Sequence, residues 1–192
     1  IPTAVYMKEM ATSGGYLVSL GADKIFSNYG TITGSIGVIL QTADVSKLLD
    51  KLGINPIVVK SGNLKSVPNP FEEASDQQIE FVSEIISQMQ DEFINIVKDR
   101  RKSSYDVLNL ISDGRILTGR QAKELDLIDE IGTEKDAINW LKEQAGIDVD
   151  VPVVDFSSQD NFLNLLNIGF IKNKINNINL NPLNGLLAIW TF

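Results

Sequence analysis

A serine followed by two glycines, Ser13-Gly14-Gly15, stands between a strand-like run, Ala4-Val5-Tyr6-Met7, and a helical stretch from Tyr16 to Ala22. That placement sets a hydroxyl at a helix N-terminus, where backbone N–H groups lack intrahelical acceptors. Such a turn suits a nucleophile. The glycines let a substrate backbone approach closely, and the N–H after the serine can stabilise a tetrahedral oxyanion. Plain helix capping by Thr12 or Ser13 accounts for the same residues, and on this turn alone both readings stand.

A nucleophilic serine needs a base, and the 192 residues contain no histidine and no cysteine. Those two zeros exclude the Ser-His-Asp triad, cysteine nucleophiles, thiolate zinc sites, Fe–S clusters and disulfide scaffolds. What remains as base is a neutral lysine. A free lysine titrates near pH ~10.4, so acting near neutrality requires a desolvated amine, with roughly 4 kcal/mol of preference for the uncharged form. Lys65 is the best placed: it lies between Leu64 and Val67-Pro68 in a Gly-, Asn- and Pro-rich loop over 61–72, after a run that reads as a buried strand. Lys24, Lys47 and Lys51 read as solvated positions, as do the adjacent acids Asp129 and Glu130, which form no metal-ligand spacing.

The elements that must position these groups alternate between strand and helix. Ile25-Phe26-Ser27 reads as a second strand, Thr31 to Leu40 as a β-rich segment broken by Gly34 and Gly37, Val45 to Leu52 as a helix ended by Gly53, and Asn55 to Lys60 as a buried strand around Ile57-Val58-Val59. From Ser75 a long amphipathic helix is predicted to about Lys102. Ser75 and Gln78 sit at capping-box spacing, with Ile79, Val82, Ile86, Met89, Phe93 and Ile96 on one face. Further helices are predicted over Tyr105 to Ile111, Thr118 to Leu125 and Glu134 to Ala145, with a turn at Asp113-Gly114. The succession is that of an α/β layered domain over 1–150. Beyond Val151, a C-terminal strand and an Asn-rich tail are expected over 151–192, since nine asparagines fall between Asn161 and Asn184.

Composition agrees with one globular domain: 43% apolar, 22% charged, formal net charge −8. Residues 1–71 sum to +2, whereas 72–106 and 107–150 each carry −5. An acidic middle disfavours nucleic acid or an anionic membrane surface as partner. The longest apolar run, Leu186 to Trp190, is far shorter than the roughly 18 residues of a membrane span. The start at Ile1-Pro2-Thr3, without Met and already in a strand-like run, reads as that of a fragment.

Three blocks, Met10-Ala11-Thr12-Ser13-Gly14-Gly15-Tyr16, Gly30-Thr31-Ile32-Thr33-Gly34-Ser35-Ile36-Gly37-Val38 and Lys60-Ser61-Gly62-Asn63-Leu64-Lys65, resemble consecutive motifs of the signal peptide peptidase A family of Ser-Lys proteases. Gly114-Arg115-Ile116-Leu117-Thr118-Gly119, with Ala122 and Leu127-Ile128-Asp129, resembles the next, so the likeness spans about residues 1 to 150. It implies Ser13 as nucleophile, Lys65 as general base 52 residues later, Ser35 as the hydroxyl that orients the lysine amine, and Gly14 as an oxyanion donor. Thr12 replaces a usual Ala, and Asp126 a usual Gly.

The resemblance further implies a Clp/crotonase-like superhelix of strand-strand-helix units whose N-terminal part precedes this chain, and a homo-oligomeric ring with the site shared between subunits. It implies hydrophobic signal-peptide remnants as substrates, no cofactor or metal, and a cell-membrane location with the protease domain on the extracytoplasmic side. A membrane anchor and a second oxyanion turn are expected upstream of Ile1, so weak or no activity is expected of this chain alone. Two rivals stay open: a stomatin-partner-type Ser-Lys membrane protease, and a catalytically inactive crotonase-like scaffold.

Overall fold

The computed structural model describes residues 1–154. The predicted tail therefore lies outside the described residues, apart from its first few positions.

The first parallel pair forms early in the chain. Strand β1, Ala4–Met7, leads through helix α1, Gly14–Ser19, to β2, Lys24–Ser27, which pairs with β1 in parallel with Val5 opposite Ile25. Both strands are short and rich in β-branched and aromatic residues; Met7 and Ile25 are buried on one face of the pair and Phe26 on the other, against Trp140. Much later, β5, Glu130–Ile131, joins the free edge of β2, completing a parallel order β1-β2-β5. A second sheet pairs β3, Ile32–Gly34, with β4, Ile116–Thr118, in antiparallel register, Thr33 opposite Leu117.

The helices form where capping and periodicity instruct them. Helix α2 is Ser46–Lys51, α3 Asp76–Arg101, α4 Tyr105–Ile111, α5 Gly119–Glu124 and α6 Glu134–Ala145. Ser75 and Gln78 close a reciprocal capping box on α3, and Lys102, at φ 50, ends it in the left-handed conformation. Thr118 with Gln121 and Thr133 with Asp136 do the same at the starts of α5 and α6. The Thr133 hydroxyl and main chain both donate to Asp136, holding its carboxyl below the ordinary range.

The core gathers Tyr16 from α1 and Leu20 at its C-cap, Ile25, Ile36, Val97 from α3, Ile111 from α4, Ala122 from α5, and Leu127-Ile128. Its polar lock is at the C-terminal end of α3. Arg101 donates two bonds to Asp129, 3.1 and 3.0 Å, while its Nε reaches the carbonyl of Asp126 at 2.9 Å. Asp129 also accepts from the N–H of Ile25 at 2.7 Å. One carboxylate thus fastens helix to sheet, a bidentate arrangement that suits guanidinium geometry.

Four expectations need correction. Asn55 to Lys60 is not a strand, and Ile57 and Val59 are 91% and 93% exposed. A run of β-branched residues specifies a strand only where an edge is there to pair with, and no described strand pairs with this one. Of the β-rich segment Thr31 to Leu40, only Ile32–Gly34 is strand, because Ser35 turns the backbone at φ 52. Asp129 is engaged by Arg101 rather than solvated, whereas Glu130 stays exposed as expected, though it pairs with Lys24 at 2.7 Å. Lys24 itself is held over the rings of Phe26 and Trp140, 4.8 and 5.4 Å from their centroids.

Candidate active site

Ser13 sits at the N-cap of α1 with φ 51 and ψ −118, a conformation that L residues rarely adopt and that stores of order 1–3 kcal/mol. Its side chain makes no capping bond, which removes the plain-capping account of this residue. The backbone is held from both sides: Ser13 N–H donates to the carbonyl of Gly34 at 2.8 Å, and its own carbonyl accepts from Leu17 N–H at 2.9 Å. Next to it, the N–H of Gly14 has no acceptor among the described residues, as an oxyanion donor requires.

The strain persists because the surroundings over-determine it. Segment 9–13 runs parallel to β3, with Ile32 N–H donating to Glu9 and Ala11 N–H to Ile32, both at 2.9 Å. Threonines staple the same two segments: Thr33 Oγ1 donates to the carbonyl of Ala11 at 2.8 Å, and Thr31 Oγ1 bonds the carbonyls of Met7 and Lys8. Behind the turn, Tyr16 is fully buried and donates its hydroxyl to Leu127 at 2.8 Å. Burial pushes the Tyr16 phenol well above its ordinary range.

β3 also delivers Ser35. Its N–H donates to the carbonyl of Arg115 at 2.8 Å, and its φ of 52 turns the chain out of the sheet just past β4. Gly34 cannot carry a side chain here: φ is +73, and a Cβ would lie 2.9 Å from the Arg115 carbonyl.

Ser13 and Ser35 line one cavity of about 630 Å³, with Gly37, Val38 and Ile39 on one side and Ser83, Ile86, Ser87 and Gln90 of α3 on another. Ser112, Asp113 and Gly114 complete the rim. Arg115 grips the Asp113 carboxylate through Nε at 2.9 Å and Nη2 at 2.7 Å, holding that carboxyl below its ordinary range. Gln90 Nε2 donates to the carbonyls of Ile36 and Ser112, each at 3.3 Å.

Of the residues predicted for the site, the structure therefore brings Ser13, Gly14 and Ser35 together. Lys65 does not line this cavity. It stands exposed on the loop after Gly62, its N–H donating to the Gly62 carbonyl at 3.0 Å, and the loop is tied to α3 through Gln78 Nε2 on Asn63. Lys60, nearby, is paired with Glu72. Of the α3 residues of the cavity, only Ile86 was named in the sequence, on the helix's apolar face; Ser83, Ser87 and Gln90 were not. The spacing of four between Ser83 and Ser87, on the side of Ile86, was the available signal. Among the described residues no cluster of acids or other ligands could hold a metal ion, and no helix is long and apolar enough to cross a membrane.

Residues 1–148 match the family model described as Peptidase family S49. The chain is 37% identical over 158 residues to a putative signal peptide peptidase SppA of Enterococcus faecium, covering 82% of this chain and 46% of that protein. It is likewise 37% identical over 146 residues to a putative protease of Synechocystis, covering 76% and 53%. To protease 4 of Haemophilus influenzae it is 30% identical over 156 residues, 81% of this chain and 25% of the relative. The chain thus spans about half the length of the first two relatives and less of the third. With the strained serine turn and the family motifs falling in one matched stretch, the chain belongs to peptidase family S49.

Proposed function

We propose that this chain carries the nucleophile of a serine endopeptidase that digests hydrophobic remnants of signal peptides at the membrane. The observation that carries the reading is the Ser13 turn: a hydroxyl that caps nothing, on a backbone at φ 51 and ψ −118, beside an unpaired Gly14 N–H. Ser13 Oγ attacks the peptide carbonyl and its proton passes to the neutral amine of Lys65, while the oxyanion is met by Gly14 N–H. The resulting ammonium returns the proton to the leaving amine as the C–N bond breaks. Lys65 then takes a proton from water, whose oxygen attacks the acyl carbon; return of that proton to Ser13 Oγ frees the serine. Ser35, on the same cavity, orients the amine.

Because Lys65 stands outside the cavity in one copy, a second copy supplies it. The segment from Ile39 to Phe71 supports this, since Ile39, Ile57, Val59 and Phe71 are all more than half exposed. Closure of copies into a ring, a superhelix of strand-strand-helix units, and placement on the extracytoplasmic face of the cell membrane through a segment outside this chain belong to the same proposal. They are supported by the family membership and by a relative named as a signal peptide peptidase.

A serine-directed fluorophosphonate applied across pH tests the reading: Ser13→Ala should abolish labelling and Lys65→Ala should suppress it at neutral pH. Mixing those two variants of the complete protein should restore hydrolysis if the dyad is shared between copies. Labelling that survives loss of Ser13, or ignores Lys65, would favour the inactive-scaffold alternative.

A further inference from the structure

Resting on the peptidase reading of Ser13, we propose that Thr33 is a positioning residue for the nucleophile, its hydroxyl standing in for a missing main-chain donor just before the serine turn. Thr33 is the middle residue of β3 and is fully buried. Valine would fill such a place with no polar atom, and a buried hydroxyl is costly unless it is bonded. Here it is bonded: Oγ1 donates to the carbonyl of Ala11 at 2.8 Å, while its other neighbour, the Met7 thioether at 3.8 Å, is a weak acceptor. The Ala11 carbonyl has no second donor among the described residues.

The ladder between β3 and segment 9–13 explains why a side chain is needed there. Ile32 spends both main-chain groups on that segment, its N–H on Glu9 and its carbonyl on Ala11 N–H. Gly34, two residues on, faces the same side, and its carbonyl takes Ser13 N–H at 2.8 Å. A regular parallel ladder would also send Gly34 N–H to the Ala11 carbonyl. With Gly34 at φ +73 that bond is absent, and the Thr33 hydroxyl fills its place.

Three consecutive peptide planes lead into the nucleophile. The Ser13–Gly14 plane is held through its carbonyl by Leu17 N–H, and the Thr12–Ser13 plane at both ends, its N–H on Gly34 and its carbonyl on Gly15 N–H at 2.8 Å. The Ala11–Thr12 plane has its carbonyl held by a side chain alone. Without that hydroxyl a buried acceptor is left unpaired, a penalty that rotation of the plane toward Gly34 N–H relieves. Such a rotation regularises the ladder and carries Thr12 and Ser13 with it, away from φ 51 and ψ −118. Thr33 does not line the cavity, so its loss falls on the chemical step rather than on substrate binding.

The test uses the complete protein and a quenched-fluorescence hydrophobic peptide. Thr33→Val should lower kcat by about tenfold to a hundredfold, the scale of a misplaced reacting group, with KM within about twofold of the parent. Thr33→Ser, which keeps the donor, should restore most of kcat. Thr133→Val, which strips a hydroxyl from the start of α6 on the far side of the sheet, controls for destabilisation alone and should leave kcat unchanged. Should the valine variant not fold, Thr33→Cys, a weaker donor in the same place, should show a smaller loss of the same kind. A parental kcat in Thr33→Val, a loss that serine does not rescue, or an equal loss in Thr133→Val overturns the proposal. Fluorophosphonate labelling of Ser13 reads the peptidase assignment separately, and amide hydrogen exchange at Ser13 reads the turn. If labelling ignores Ser13 while its N–H exchanges faster in Thr33→Val and recovers in Thr33→Ser, the hydroxyl positions the turn and only the assignment of Ser13 as nucleophile falls.

Discussion

The two candidate members of the dyad live in opposite surroundings. Ser13 is set in a turn whose every neighbour is fixed: Gly34 on one side, Leu17 on the other, and Tyr16 wedged behind it against Leu127. Lys65 is carried by a loop in a stretch where α2 has no buried residue and large apolar side chains face solvent. Three of the largest apolar exposures among the described residues, Ile39, Ile57 and Val59, belong to this stretch. The contrast separates what the fold of one chain completes from what it leaves for contact. A nucleophile that needs a strained backbone has to be imposed by a core, whereas a base on a long flexible side chain can be brought from outside.

Substitutions in the two regions should therefore have opposite signatures. The largest effect is expected at Gly119, where a Cβ would lie 2.0 Å from the Asn28 carbonyl and 2.5 Å from Ser27 Oγ. Gly119→Ala should lower stability by about 3 kcal/mol or more in urea titration, because the obstruction includes backbone at the start of α5. Arg101→Met should cost about 2–3 kcal/mol, since it strips Asp129 of its bidentate partner while the carboxylate stays partly buried. An Arg101→Met protein as stable as the parent would show that the ion pair is not what fastens α3 to the sheet.

Ser13→Gly should move stability the other way, raising it by about 1 kcal/mol while ending fluorophosphonate labelling, because glycine accepts the turn's dihedral angles without strain. Unchanged stability would mean the turn is not strained. In the exposed stretch, Ile57→Asp with Val59→Asp should stay within about 0.5 kcal/mol of the parent in stability. The same pair should reduce hydrolysis and the apparent mass on size-exclusion chromatography together. A loss of stability there instead would place the segment in the core.

pH offers a probe of the packed region alone. The buried Tyr16 has its phenol raised above the ordinary value in the folded chain, so its contribution is complete below the unfolded phenol's pKa, near pH ~10. It is lost as pH climbs from there toward the folded value, since the unfolded chain ionises first. Tyr16→Phe should flatten that alkaline decline. An identical decline in the variant would assign it to other groups.

Much of the frame was legible because its instructions are local. α4 and α6 begin and end where their periodicity and caps predict, and α3 starts on its predicted capping box. The Ser13 and Ser35 blocks were legible through motif spacing, and their adjacency follows from pairing of 9–13 with β3, which no single segment announces. Asn55 to Lys60 was misread because a strand signal names no partner. Lys24 was misread because a cation over Phe26 and Trp140 depends on α6, more than a hundred residues away. Asp126, where the resembled family usually has glycine, is explained by its φ of 56, a left-handed position that aspartate tolerates better than most residues.

The hydrogen bond from Tyr16 to Leu127 also ties the serine turn to a residue synthesised 111 positions later. The serine turn is made among the first residues of this chain, yet its brace, Gly34, is held by β4, and the aromatic ring behind it is tied at residue 127. A growing polypeptide that has not emerged through Leu127 has Ser13 but not all the contacts that hold its backbone in place. Limited proteolysis of chains arrested before and after that residue should cut at the serine turn in the first case and spare it in the second.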